Sequence, residues 1–204
     1  VTQSTLLDRS VIRVTGEVAE KLLNDTLTAR FAELKEGEGR WFALLSPQGK
    51  IQAEGLATRA QGAWWLDIDR AAVEAFLKRM RLYRLRAKVE FEDLSEQQAV
   101  RWSAVPPVAS AEVSYSDGRG AALGSRTLIP REPAEGAEGD AAAWHRARIA
   151  HGIAQMGADF ASDSMFPHDI GMDLCGGVDF AKGCYVGQEV VSRMQHRGTA
   201  RRRA

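Results

Sequence analysis

Two cysteines in 204 residues, Cys175 and Cys184, are too few for a disulfide-dense secreted scaffold, and their nine-residue separation matches no structural zinc pattern. No apolar run approaches 18 residues, and the opening VTQSTLLDRS has no cationic segment followed by an apolar stretch. The chain is therefore expected neither to span a membrane nor to be exported, and a reducing, cytoplasmic setting is the expectation. Charge of one sign is missing too: 27 basic residues balance 27 acidic ones, so no global field draws in nucleic acid, an anionic membrane or an acidic partner. There is no internal repeat and no low-complexity segment. The first residue is Val, as in a processed, alternative-start or trimmed chain. What is present is ordinary globular composition, 45% hydrophobic and 26% charged. A chain of this length buries roughly 70% of its unfolded surface, enough for a core without staples.

Periodicity organises the chain into mixed clusters. Val11–Val14 read as a strand, and Val18, Leu22, Leu23 and Leu27 then recur at helical spacing. Trp41–Leu45 and Lys50–Thr58 flank a Ser46-Pro47-Gln48-Gly49 break and read as a hairpin. Ala63–Ile68 is a third strand, and Ala72, Val73, Phe76, Leu77 and Met80 mark an amphipathic helix. Tyr83–Glu92 alternates apolar with charged residues and reads as a half-buried strand with one charged face. Between Lys78 and Lys88 lie six basic residues and no acid; this is either a solvated face or a cationic wall beside an anionic ligand. Val100–Val105 is expected as a strand, 112–129 as a hairpin around Asp117-Gly118, 131–140 as a loop, and Ala141–His151 as a helix. Without strict βαβ alternation, the class is α+β.

Residues 166–203 concentrate the chemistry. Gly176, Gly177, Gly183 and Gly187 permit tight turns but fit no nucleotide phosphate loop. From Gly183 the spacing predicts a helix carrying Val186, Val190 and Met194 on one stripe, with Glu189 and Arg193 as an i, i+4 pair. Cys184 then falls in a first helical turn two residues after Lys182, where dipole and ammonium both favour thiolate. A small buried hydrophobe is the competing reading. Cys175 is expected to be structural. His145, His151, His168 and His196 make no metal-ligand spacing, so no metal site is expected. Arg193, Arg197 and Arg201–Arg203 make a basic C-terminus without interleaved aromatics.

Lys182-Gly183-Cys184-Tyr185-Val186-Gly187-Gln188-Glu189 resembles the KGCYxGQE signature of the YgfZ-type folate-binding proteins, relatives of the glycine cleavage T-protein, an aminomethyltransferase. Eight positions with seven fixed residue types make the match specific. VIRVTGEVAEKLL, WFALLSPQGKI, LYRLRAKVEFEDLS, Arg148-Ile149 followed by Gly152-Ile153, Phe180 and Arg197-Gly198 are similar to other family segments in order and spacing. The resemblance covers essentially the whole chain.

It implies an aminomethyltransferase-like folate-binding fold with duplicated sheet-and-helix subdomains, here 1–95 and 96–204, the second carrying the signature. Family members usually continue into a small C-terminal β-barrel, which is not expected in a chain ending at Ala204. It also implies a tetrahydrofolate-binding accessory factor for assembly or repair of iron–sulfur enzymes, with an indirect effect on tRNA modification. The partners are then a folate and iron–sulfur client or assembly proteins, with no direct nucleic acid and no membrane. Cys184 and Lys182 are the candidate catalytic residues. Tyr185, Gln188, Glu189, Asp173, Arg193, Arg197, Arg84 and Arg86 are the candidates for holding tetrahydrofolate or a derivative, with aromatic rings sandwiching the pterin and arginines forking onto the tail carboxylates. The alternative is a folate-dependent aminomethyl or one-carbon transferase; Ala150, where the T-protein places a folate-contacting acid, weakens it. A nucleic-acid module and a permanent iron–sulfur scaffold are lesser rivals, since charge is balanced and two cysteines fall short of four thiolate ligands.

Overall fold

The structure is a computed structural model and describes residues 2–107, 113–131 and 141–197, the last by its backbone alone. Residues 132–140 of the loop expected at 131–140, the basic residues 201–203 and the Arg197 side chain lie outside the described residues.

β1 (Gln3–Leu6) and β2 (Arg9–Thr15) open the chain, followed by α1 (Ala19–Thr26), β3 (Arg40–Leu45), β4 (Ile51–Ala60) and β5 (Ala63–Asp69). β4 and β5 form a hairpin closed by Gln61 and Gly62, both at positive φ, the backbone of a type I′ turn. α2 (Val73–Arg84) follows a short 3₁₀ turn capped by the Asp69 carboxylate, and β6 (Glu90–Asp93) returns to the sheet. β7 (Gln98–Ser103), β8 (Ser114–Ser116) and β9 (Ser125–Pro130) precede α3 (Ala142–Ala150) and α4 (Gln188–Arg197).

Two antiparallel sheets result, ordered β3-β4-β5-β2-β6 and β1-β7-β9-β8. The first lies wholly within the expected first half. The second crosses the expected boundary, because β1 pairs Leu6 with Val100 and Gln3 with Ser103. The apolar positions read from the sequence fill the core: Val11, Ile12, Val14, Leu23, Phe42, Leu66, Phe76 and Trp144 are essentially inaccessible. Burying each such side chain contributes about 1.5–3 kcal/mol.

Charge is buried with them. Arg9 Nε donates to Asp67 Oδ1 at 2.6 Å and its Nη1 lies 3.7 Å from Glu54 Oε1; Glu54 accepts from Trp41 Nε1 at 2.7 Å. From the other sheet, Arg126 pairs with Asp67, Tyr115 Oη donates to it at 3.2 Å, and Arg119 grips Asp117 at 2.6 and 2.9 Å. Arg126 also stacks 4.8 Å from the Trp144 ring centre. Burial alone raises the Asp67 and Asp117 carboxyls, but the neighbouring guanidiniums outweigh it and hold both below the ordinary range.

The expectation for Tyr83–Glu92 needs correction. Tyr83 and Arg84 end α2, Leu85 turns the chain at φ 49° and ψ −109°, and only 90–93 are strand. Helical packing of Met80 and Leu77 carries α2 into the start of the alternating pattern, so Arg84 and Arg86 do not share a strand face.

Candidate functional site

The signature loop is held in place by its neighbours on both sides. Upstream, Thr28 Oγ1 donates to Gly177 O at 2.6 Å and the Asp179 amide donates to Thr28 O at 2.9 Å. The Asp179 carboxylate accepts from the amides of Ala181 and Lys182 at 2.7 and 2.9 Å and pairs with Arg30 at 2.8 Å. An Asp three residues before Lys182 is the sequence signal for this turn, and the motif reading passed over it. Downstream, Gly187 (φ 78°) packs so closely on the Ser46–Gly49 turn that a Cβ there would lie 2.6 Å from Ser46 O. The two segments that most resembled the family, LSPQGK and KGCYVGQE, therefore meet in space.

Between these anchors the expected geometry changes. The helix starts at Gln188, not Gly183, because Gly183 and Gly187 both take positive φ and residues 183–187 stay non-helical. Cys184 thus lies on a loop, exposed, and the helix-dipole argument for its thiolate does not apply. Nor does the Lys182 ammonium serve it: Nζ donates to Asn24 O and, at 2.6 Å, to Leu27 O, capping the α1 C-terminus. It also lies 4.8 Å from the Tyr185 ring centre. Burial lowers the Lys182 amine to about 8, against the opposing pull of Asp179. The same burial raises the Tyr185 phenol, whose Oη is shielded and has no hydrogen-bond partner.

Gln188 Oε1 accepts from the Tyr185 amide at 3.3 Å, closing the loop onto α4. Glu189 and Arg193 pair with each other on the exposed side of α4, where Val191 is fully buried and Val186, Val190 and Met194 of the expected stripe are half-buried. His168 is buried; its Nε2 meets Gln195 Oε1 at 3.0 Å and its Nδ1 has no partner. Asp173 is half-buried in the turns before the loop. Cys175 packs against the core, its thiol raised chiefly by burial, in keeping with a structural role.

Arg84 and Arg86 sit elsewhere. With Thr15, Gly16 and Lys88 they line a cleft of about 400 Å³. Adjoining it is a second, about 440 Å³, lined by Val18, Leu22, Tyr83 and Arg84 on the flank of α1. No signature residue lines either cleft. The α1 helix thus offers its C-terminal carbonyls to Lys182 and its flank to the arginine cleft.

A folate fits these residues in part. Trp41, Trp64, Trp102 and Trp144 are all buried in the core, which removes them from the expected sandwich. Half-buried Tyr83 beside Val18 and Leu22 remains for a flat ring. Arg84 Nε is shielded without an acceptor and Arg86 is exposed, as a carboxylate tail requires.

Comparison with known proteins agrees with this frame. No protein-family model matches the chain. The mitochondrial iron-sulfur cluster assembly factor IBA57 homolog of Chaetomium globosum is 29% identical over 97% of the chain. Its counterparts in Pyricularia oryzae and Mycosarcoma maydis are 28% and 30% identical over 98% and 96% of it. The chain spans about half the length of these relatives, 54%, 55% and 54% respectively. The glycine cleavage system aminomethyltransferase T of Bartonella henselae superposes with a TM-score of 0.73, at 17% identity, over 96% of this chain and 63% of that one. The expectation of a cytoplasmic setting is overturned, since these relatives are mitochondrial by name. The chain is thus similar in sequence to iron–sulfur cluster assembly factors and has an α+β aminomethyltransferase-like fold.

Proposed function

We propose that this chain serves as a tetrahydrofolate-binding accessory factor in the assembly or repair of iron–sulfur proteins, with tRNA modification affected through a client enzyme. The observation that carries the reading is the exposed Cys184 on a loop whose two ends are fixed, by Asp179 and Lys182 against α1 and by Gly187 against the Ser46–Gly49 turn. A thiol presented this way meets a partner's iron or sulfur without a rearrangement of the fold, and the thiolate is the form that ligates or attacks. Lys182 acts by holding the loop, and Tyr185 by filling the space beneath it.

Tetrahydrofolate or a derivative, the ligand that the fold suggests, supplies a one-carbon carrier and a reduced pterin when bound. Tyr83, Val18 and Leu22 offer a surface for its ring, and Arg84 and Arg86 offer guanidiniums to its carboxylates. Glu189, taken by Arg193, and Ala150, exposed at the end of α3, leave the alternative one-carbon transferase without a positioned acid at those positions.

The test is Cys184→Ala in cells lacking the protein, together with titration of the purified variant by a reduced folate. Loss of iron–sulfur enzyme activity with folate binding retained is expected. Full rescue by the variant removes Cys184 from the function, and absence of folate binding to the parent protein up to millimolar concentration removes the cofactor.

A further inference from the structure

The cationic run at the end of α2 is not neutralised by the fold. Arg9, Arg13, Arg30, Arg59, Arg70 and Arg148 all form ion pairs, on the surface as well as in the core. Among the described residues none of Lys78, Arg79, Arg81, Arg84, Arg86 and Lys88 does. Three of these, Arg84, Arg86 and Lys88, converge on the cleft of about 400 Å³ beside Thr15 and Gly16, within the size range of small-ligand sites. One carboxylate, Glu90, lies at its rim.

The cleft is constructed, not left over. Gly16 takes φ 126°, and a Cβ there would lie 2.1 Å from Lys88 O, so this corner closes on the turn only with glycine. Arg84 Nη1 donates to Val89 O at 3.0 Å and the Ala87 amide donates to Arg84 O at 2.8 Å, bracing the turn across its base. Leu85 is held at φ 49° and ψ −109°, a region otherwise left to glycine, while its side chain is 83% exposed and gains little from packing. A shielded Arg84 Nε lacking an acceptor and two unpaired cations facing one hollow share a single remedy. That remedy is a ligand carrying oxyanions.

We infer that the turn 84–90, closed against Gly16, is a binding site for a ligand bearing two or more adjacent oxyanion groups, phosphates or carboxylates. Arg86 and Lys88 reach the ligand from the open side, and Arg84, fixed by Val89 O, forms the wall. The inference sharpens the folate reading at the anionic end of that ligand, yet it rests on the cleft alone and stands or falls separately.

The experiment is calorimetric titration of the purified chain at low salt with tripolyphosphate and, separately, with triglutamate. Binding of either probe supports the site, and which one binds identifies phosphate or carboxylate as the source. Arg86→Gln/Lys88→Gln is expected to weaken binding at least tenfold, with the fold intact by circular dichroism because neither side chain has a partner. Lys78→Gln/Arg79→Gln removes the same charge outside the cleft and is expected to change binding less than twofold. Equal losses in the two double variants would reduce the effect to a diffuse field and overturn the site, as would absence of binding by both probes at 10 mM. Titration of the same sample with a reduced folate separates the two readings, since tripolyphosphate binding without folate binding leaves the cleft standing and removes the folate.

Discussion

An ammonium that donates to Asn24 O and Leu27 O beneath the Tyr185 ring has exchanged much of its water for backbone carbonyls. Its value of about 8 lies below that of an unfolded lysine, near 10.4. Between these limits the unfolded chain binds the proton more tightly, so stability rises with pH from about 8 towards 10. Tyr185 acts oppositely: its raised phenol stays protonated in the fold where the unfolded chain ionises, so stability falls above about 10. We expect the melting temperature of the parent, less that of Lys182→Met, to climb across pH 8–10. A difference that stays flat over this range would place the amine in water.

Glycine placement decides how the elements begin and end, and here the sequence was legible only in part. The strands β2 to β5 followed from short apolar runs bounded by turn residues, and nearly every position in them is buried. Tyr83–Glu92 alternated, yet Met80 and Leu77 bury α2 as far as Arg84, and local period lost to tertiary packing. The start of α4 was misplaced for a related reason: 183–187 has helical spacing, but its glycines are spent on positive φ. Close approach to Ser46 depends on a partner 141 residues away, which no local pattern displays. Leu85 gives the test at this scale. Leu85→Gly relieves backbone strain of about 1–3 kcal/mol, offset by about 1 kcal/mol of added unfolded-state freedom. A net gain of about 1 kcal/mol, or about 2–4 °C in melting temperature, is expected. A loss of stability would mean that the turn is unstrained.

Across the whole molecule the two sheets are joined by charge as well as by hydrocarbon. Asp67 receives Arg9 from its own sheet and Arg126 and Tyr115 from the other. Composition shows that such residues exist but not that they converge, because a charged residue on a strand reads as solvent-facing until the second sheet is known. Asp67→Asn leaves two buried guanidiniums short of a counter-charge, and a loss of about 3–5 kcal/mol in denaturant unfolding is expected. In the parent the carboxylate is held below the ordinary range, so its contribution is present above about pH 4 and disappears on acidification through its folded value. A loss under 1 kcal/mol in the variant would show that hydrocarbon packing alone holds the sheets together.

The N-terminal strand carries a consequence for synthesis. Leu6 emerges well before the Val100 beside which it docks, so β1 has no place to go until β7 has been translated. Its backbone donors and acceptors remain open during that interval, and a nascent chain stalled before β7 would expose a sticky ribbon that the finished protein conceals.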